Sequence, residues 1–165
     1  MNLDNLFQNF CKKNNLEINS YQLTVIDELK SYYKLNFNKS ILNKFFSKNN
    51  SRLAFYLHGG VGVGKTMILN FFFDLVEEKK LRQHFNEFML SFHDFAHERK
   101  ENNEENIINQ FVKDLKSKTE LIYFDEFQVT NIVDAMILGK LFEQIFKENI
   151  KIILTSNTKI SELYK

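Results

Sequence analysis

The sequence contains no proline, no tryptophan and only one cysteine, Cys11, among its 165 residues. These absences exclude collagen-like, mucin-like and disulfide-rich proteins. Since Cys11 cannot form an internal disulfide, the composition fits a reducing compartment. No apolar run reaches the length of about 18 residues that indicates a transmembrane helix, so we expect a protein that is not transmembrane. The N-terminus carries Asp4 and lacks the apolar core of a secretory signal, so we expect no cleaved signal peptide.

The sequence also has no large excess of charge of one sign. It contains 22 basic and 21 acidic residues, and its net charge is +1. A dedicated nucleic-acid binder normally has a basic excess on one face, so we expect no nucleic-acid partner. Only three of the basic residues are arginines, namely Arg52, Arg82 and Arg99. Guanidinium groups that could hold a phosphate are therefore scarce. The length suits one compact domain.

Apolar periodicity predicts strands that alternate with helices. The predicted strands are 53–57, 81–85, 121–124 and 150–154. The predicted helices are 22–33, 67–79, 87–99, 104–117 and about 130–147, with Asp134 or a neighbour as the cap of the last helix and a loop at 48–51. Strands that alternate with helices imply parallel βαβ units. We therefore expect an open α/β sheet that is covered by helices on both faces.

The strongest motif matches the phosphate-binding pattern Gly-x4-Gly-Lys-Ser/Thr. It reads Gly59-Gly60-Val61-Gly62-Val63-Gly64-Lys65-Thr66, and it holds four of the five glycines of the chain. Glycine allows backbone N–H groups to turn inward and approach phosphate oxygens closely. The predicted helix that follows adds its N-terminal dipole. We expect Lys65 to reach the β- and γ-phosphates of ATP and the Thr66 hydroxyl to ligate Mg²⁺.

Two further polar elements follow predicted strands. Asp125 and Glu126 end the apolar run 121–124, and Asn157 closes a Thr-Ser-Asn element after the strand 150–154. Ligands of open α/β sheets bind at these carboxyl ends. We expect Asp125 to belong to the Mg²⁺ shell, Glu126 to polarise the attacking water and Asn157 to bind the γ-phosphate. The alternatives are a solvated acidic pair and an ordinary turn or helix cap.

These motifs together resemble the ZapE family of AAA+ ATPases, whose mitochondrial relatives are the AFG-like (lactation-elevated) ATPases. The most specific element is Phe124-Asp-Glu-Phe-Gln-Val-Thr130, and further matches are His84-Phe85, Glu87-Phe88-Met89, Asp134-Ala-Met-Ile-Leu138 and Leu163-Tyr164. The resemblance covers residue 16 to the end. It implies a P-loop NTPase of the AAA+ type, a three-layer α/β/α domain with a parallel sheet at 51–165. An N-terminal helical segment, 1–50, would lead into the nucleotide site.

The resemblance also implies roles beyond the motifs. Gln22 corresponds to a glutamine of the nucleotide site, although its element reads Asn-Ser-Tyr-Gln in place of Asp-Pro-x-Gln. The family continues past Leu163-Tyr164 with a last strand and a C-terminal lid that carries arginines, so we expect this sequence to lack them. The family acts on protein partners, at the division ring in bacteria or in mitochondrial quality control. That implies a cytoplasmic or a mitochondrial location and self-association of the full-length form.

Two other functions stay open at this point. The chain could be a nucleotide-binding module without turnover, because an arginine supplied to the transferring phosphate accounts for much of the rate in such enzymes. A weaker alternative is a DNA-associated AAA+ helicase loader. The pair His93 and His97 imitates a zinc-binding helix, but no third ligand accompanies it, and Cys11 has no partner histidine motif, so we expect no metal chemistry from these residues.

Overall fold

The computed structural model describes residues 2–37, 52–99, 103–129 and 131–163. The loop expected at 48–51, the boundary expected between residues 50 and 51, and residue 130 lie outside the described residues. The elements in chain order are α1 (Leu3–Lys13), α2 (Ser20–Asn36), β1 (Ala54–His58), α3 (Lys65–Leu75), β2 (Lys80–His84), α4 (Phe85–Arg99), α5 (Glu104–Lys118), β3 (Leu121–Asp125), α6 (Ile132–Lys147), β4 (Lys151–Ser156) and a 3₁₀ turn (Ile160–Glu162).

The four strands form one parallel sheet in the order β1-β4-β3-β2. All strands run in the same direction, so their carboxyl ends lie at one edge of the sheet. His58 at the end of β1 is paired with Ser156 of β4, and Phe124 of β3 is paired with Leu154 of the same strand. The polar residues that follow β1, β3 and β4 therefore meet at this edge.

Successive side chains of each strand point to opposite faces of the sheet. The buried apolar residues therefore form two hydrophobic clusters, one on each face. Helices α1, α2 and α3 cover the face that carries Tyr123 and Ile153. Helices α4, α5 and α6 cover the face that carries Phe124 and Ile152. Every residue of β3 and β4 is buried, as expected for parallel strands between two helical layers. The predicted three-layer α/β fold with a parallel sheet is confirmed.

Two helix termini differ from the sequence prediction for local reasons. The cap of α6, expected at Asp134 or a neighbour, is Asn131 and not Asp134. Asn131 precedes α6 with extended backbone, and its side chain accepts a hydrogen bond from the Val133 N–H at 2.9 Å. Helix α3 ends at Leu75, four residues before its predicted end. Its last carbonyls are satisfied by the Lys80 ammonium, which donates to the Phe73 and Val76 oxygens at 2.6 and 2.7 Å.

The N-terminal helices pack against the sheet, and α2 also forms hydrogen bonds with it. Helix α1, which the sequence pattern did not predict, buries Leu3, Phe7 and Cys11 along one stripe. In α2, the buried Tyr32 hydroxyl donates to the carbonyls of Leu53 and Ile152 at 3.2 and 3.4 Å. Burial raises the pKa of Tyr32, so this hydroxyl stays a donor. Among the described residues, no helix is long and apolar enough to cross a bilayer.

Candidate nucleotide-binding site

The glycine-rich segment forms a tight turn between β1 and α3. Gly62 and Gly64 have φ angles of +81° and +90°, a region that residues with a Cβ rarely adopt. Gly64 is also the N-cap of α3. A Cβ at this position would lie 3.1 Å from Nε2 of Gln22 and 3.4 Å from Cε of Met67. Glycine is therefore favoured at position 64 by the backbone angle and by the close approach of the Gln22 amide.

Lys65 connects this turn to the sheet edge. The residue is only 8% exposed, and its ammonium group donates to three oxygens. They are the carbonyls of Gly59 and Gly60, at 2.8 and 2.7 Å, and Oδ1 of Asn157, at 2.9 Å. The structure thus brings the predicted phosphate-binding lysine and the predicted phosphate-sensing asparagine into direct contact.

Thr66 and Asp125 make the second connection. The Thr66 hydroxyl donates to Oδ1 of Asp125 at 3.2 Å, and the same oxygen accepts from the hydroxyls of Thr155 at 2.8 Å and Tyr123 at 3.3 Å. Burial alone would raise the pKa of Asp125, but hydrogen bonds from Arg82, Thr155 and Thr66 together lower it below its ordinary value. Asp125 is therefore a carboxylate at neutral pH, next to the threonine predicted to share its metal ion.

Arg82 is a member of this cluster that the sequence pattern did not assign to the site. Its Nη2 donates to Oδ2 of Asp125 at 2.6 Å, and its guanidinium lies 5.1 Å from the ring centroid of Tyr123. The only available signal was the position of Arg82 in a predicted strand, 81–85. That signal becomes useful only when the register of β2 against β3 is known.

The chain turns sharply after Asp125. Glu126 has a φ of +56°, a left-handed backbone that is uncommon for glutamate. Its N–H donates to Oγ1 of Thr155 at 3.1 Å, and the Phe127 N–H donates to the Thr155 carbonyl at 2.7 Å. These bonds hold the turn against the end of β4, so the carboxylate of Asp125 is buried while the Glu126 side chain is exposed.

Gln22 lies beneath the turn, from the first turn of α2. Its Oε1 accepts from the Asn19 N–H at 3.2 Å, and its own N–H donates to the Asn19 side chain at 2.9 Å, which forms a capping box. The residue is 6% exposed, and its Nε2 approaches Gly64. Within the described part of the chain, Nε2 has no hydrogen-bond acceptor. Gln22 thus lies next to the predicted phosphate-binding turn and also caps a helix.

A cleft of about 290 Å³ lies between the glycine-rich turn and the ends of β3 and β4. This is at the lower end of the range for small-molecule sites, which suits a polyphosphate group. Its lining includes Val61, Gly62, Gly64, Lys65, Thr66, Met67, Glu126, Thr155, Ser156 and Asn157. A hydroxyl and a carboxylate at the rim are hard oxygen donors of the kind that Mg²⁺ prefers. The residues at this edge of the sheet therefore fit a magnesium–phosphate ligand.

The sequence pattern gave no functional role to His93 and Cys11, and both make contacts that are common for structural residues. Nε2 of His93 on α4 is 2.7 Å from Oδ1 of Asp134 on α6, so this histidine joins two helices. Cys11 is buried, and its burial raises the pKa of the thiol.

Residues 6–165 match the family described as AFG1-like ATPase. The chain belongs to this family. It is 40% identical to "Lactation elevated protein 1 homolog B" of Danio rerio over 129 residues, which cover 72% of this chain and 26% of that protein. It is also 40% identical to "Cell division protein ZapE" of Escherichia coli (strain K12) over 113 residues, or 67% of this chain and 29% of that protein. The matched parts thus span less than a third of these two curated relatives. The resemblance inferred from the motifs is confirmed.

Solved structures agree on the fold. AMPPCP-bound DnaA from Aquifex aeolicus superposes with a TM-score of 0.57 at 15% identity, covering 88% of this chain and 41% of that one. DnaI superposes with a TM-score of 0.55 at 18% identity, covering 91% of this chain and 73% of that one. At such low identity the likeness concerns the P-loop fold alone.

Proposed function

We propose that this chain binds Mg²⁺-ATP at the cleft between the glycine-rich turn and the ends of β3 and β4, and that it forms the catalytic core of an ATPase. One observation carries the proposal. Two adjacent residues of the turn, Lys65 and Thr66, contact Asn157 and Asp125 at the ends of two different strands. Such convergence of a cation, a carboxylate and an amide on a phosphate-sized cleft suits phosphoryl transfer.

The phosphate groups would be held by the turn from Gly59 to Thr66. Its backbone N–H groups and the N-terminus of α3 favour anions. The Lys65 ammonium is already fixed by two carbonyls at the start of the turn, which aims it across the cleft. It would bind the β- and γ-phosphates, and Asn157, which it contacts, would donate its amide N–H to the γ-phosphate.

Mg²⁺ would be held by the hydroxyl of Thr66 with Asp125 beside it, and when bound it would neutralise charge on the β- and γ-phosphate oxygens. Asp125 is suited to this role because its neighbours keep it ionised. Glu126 is the proposed general base. Its exposed carboxylate lines the cleft and would accept the proton of the attacking water, while the electron pair of the broken P–O bond goes to the β-phosphate, giving ADP and phosphate.

Gln22, next to Gly64, is also proposed to contact the nucleotide. Its Oε1 is engaged by the Asn19 N–H. Its Nε2 stays available among the described residues, next to Gly64, and could donate to an acceptor on the adenine base. We assign Gln22 first to shaping the turn and second to this contact.

The curated relatives suggest where such an ATPase works. By analogy with the Escherichia coli relative named as a cell division protein, we propose a bacterial cytoplasmic protein that remodels protein partners and self-associates in its full-length form. The relative named as a lactation elevated protein is the basis for a mitochondrial alternative. The DNA-associated alternative has no support beyond fold likeness.

A second candidate function, nucleotide binding without turnover, is favoured by the arginines. Arg82 is paired with Asp125, and Arg99 lies 4.5 Å from the Phe95 ring centroid while it donates to Gln110. Arg52 precedes β1 and therefore lies at the edge of the sheet opposite the cleft. Of the three arginines, all of which lie in the described residues, none is thus both unpaired and next to the cleft. Catalysis by this chain on its own is therefore expected to be slow, even where binding is complete.

Titration with a fluorescent ATP analogue and Mg²⁺ tests binding. Lys65→Ala is expected to lower the affinity at least about a hundredfold, because it removes the ammonium group that faces the phosphates. The matched control is Lys113→Ala, which removes an exposed lysine of the same charge on α5 and should leave the affinity unchanged. Equal affinity in both variants would refute the phosphate site. Phosphate release by the wild type, with Lys65→Ala as the blank, separates turnover from binding alone.

A further inference from the structure

Arg82 reaches Asp125 from the outer strand of the sheet. In the register of β2 against β3, Arg82 is opposite Tyr123 and His84 is opposite Asp125. Arg82, Tyr123 and Asp125 therefore point to the same face. The guanidinium carbon of Arg82 lies 5.1 Å from the centroid of the Tyr123 ring.

The two oxygens of the Asp125 carboxylate have separate sets of donors. Oδ1 accepts from three hydroxyls, including that of Thr66 in the glycine-rich turn. Oδ2 accepts from Arg82 at 2.6 Å and, among the described residues, from no other group. The guanidinium thus holds the carboxylate by the oxygen that the turn does not use, and it leaves the other oxygen facing Thr66.

We propose that Arg82 is the positioning residue of the magnesium site, acting through Asp125 to keep Oδ1 directed at Thr66. The inference rests on the proposed function of that site. A carboxylate rotates about its last bond with little preference between its two oxygens. Without Arg82, the side chain of Asp125, which is 9% exposed, would keep a buried anionic oxygen without a donor. It would turn to share the hydroxyls, and Oδ1 would leave Thr66.

The Arg82–Asp125 pair differs in its burial from the exposed ion pairs of this protein. The pairs Lys118–Asp114 and Lys147–Glu143 join side chains that are all more than half exposed, and such pairs contribute little. In the Arg82–Asp125 pair the cation is 42% exposed, so solvent screens its repulsion of a metal ion, whereas the carboxylate it orients is buried. The effect of Arg82 is therefore expected in metal affinity more than in stability.

The test compares Arg82→Gln and Arg82→Lys with Arg99→Gln, which removes a guanidinium remote from the cleft. A fluorescent ATP analogue is titrated with Mg²⁺ and again with EDTA, and the thermal midpoint of each variant is recorded. Arg82→Gln should keep the affinity seen in EDTA but lose about tenfold in the presence of Mg²⁺, the size typical of lost partners of metal ligands. Arg82→Lys should recover part of this loss, and Arg99→Gln should match the wild type.

The outcomes separate this inference from the proposed function. Wild-type protein that binds the analogue no better with Mg²⁺ than with EDTA would overturn both. A wild type that responds to Mg²⁺, beside an Arg82→Gln variant with an equal or larger response, would overturn the role of Arg82 alone. A larger response would mean that the guanidinium competes with the metal. If Arg82→Gln does not fold, the same comparison is made with Arg82→Lys, where an undiminished Mg²⁺ response overturns the proposal.

Discussion

Replacing Gly64 with alanine should destabilise the protein, whereas the same change at Gly139 should stabilise it. Gly64 has a φ of +90°, and forcing an L-residue into left-handed backbone costs about 1–2 kcal/mol. The new Cβ would also lie 3.1 Å from Nε2 of Gln22, so that amide has to move by a few tenths of an ångström. Because its other end is held in the capping box with Asn19, this movement weakens a cap that contributes about 1 kcal/mol.

The expected loss for Gly64→Ala is therefore about 2–3 kcal/mol in the free energy of unfolding. Gly139 lies in the exposed part of α6, and a Cβ added there would have no atom within 4 Å. Alanine at this position should raise the free energy of unfolding by about 1 kcal/mol, since glycine is a poor helix former. Urea unfolding followed by circular dichroism measures both values.

A double-mutant cycle separates the two causes at Gly64. In a Gln22→Ala background the contact with Nε2 is gone, and Gly64→Ala should then cost only the backbone part, about 1–2 kcal/mol. The coupling between the two sites should therefore be about 1 kcal/mol. A Gly64→Ala variant as stable as the wild type would refute the assigned backbone strain. A cycle without coupling would refute the contact.

Other substitutions test the site and its support. Glu126→Gln should retain binding of Mg²⁺-ATP and lower turnover of the full-length protein by about 10²–10⁴, because the amide cannot accept a proton, whereas Asp125→Asn should weaken Mg²⁺-dependent binding. Titration and phosphate release distinguish them, and identical defects would contradict the division of roles. Tyr32→Phe should lower the free energy of unfolding by about 0.5–1.5 kcal/mol in urea, since the Leu53 and Ile152 carbonyls lose a buried donor. No change would mean that this hydroxyl does not stabilise the packing of α2.

Features that depend only on residues close together in the chain could be predicted from the sequence. The glycine-rich turn needs its special backbone within eight residues. The strand predicted at 121–124 is a continuous apolar run, and the strand predicted at 150–154 is apolar apart from Lys151. The strands nevertheless extend further, to Asp125 and Ser156. A parallel ladder is formed by backbone groups, so it continues through polar residues that end an apolar pattern.

Features that depend on register could not be predicted. Strand β2 reads Lys-Leu-Arg-Gln-His, and only its pairing with β3 brings Arg82 to Asp125. The role of Gln22 had a local signal, because Asn19 and Gln22 have the spacing of a capping box. That spacing predicts the cap of α2, but the contact of the same side chain with Gly64 joins residues 42 positions apart in the chain and follows from tertiary packing.

Strand β4 lies between β1 and β3 in the sheet. This position allows the first turn of α3 to contact residues at the ends of both β3 and β4. Thr155 of β4 donates its hydroxyl to Asp125 and accepts the N–H of Glu126. Two residues later the same strand end supplies Asn157 to Lys65. The metal side and the phosphate side of the cleft are therefore joined through a single strand, and both are contacted by the first turn of α3. A displacement of that turn against the sheet would change the Lys65 and Thr66 contacts together. Phosphate binding and metal binding are thus expected to be coupled by this geometry rather than to occur independently.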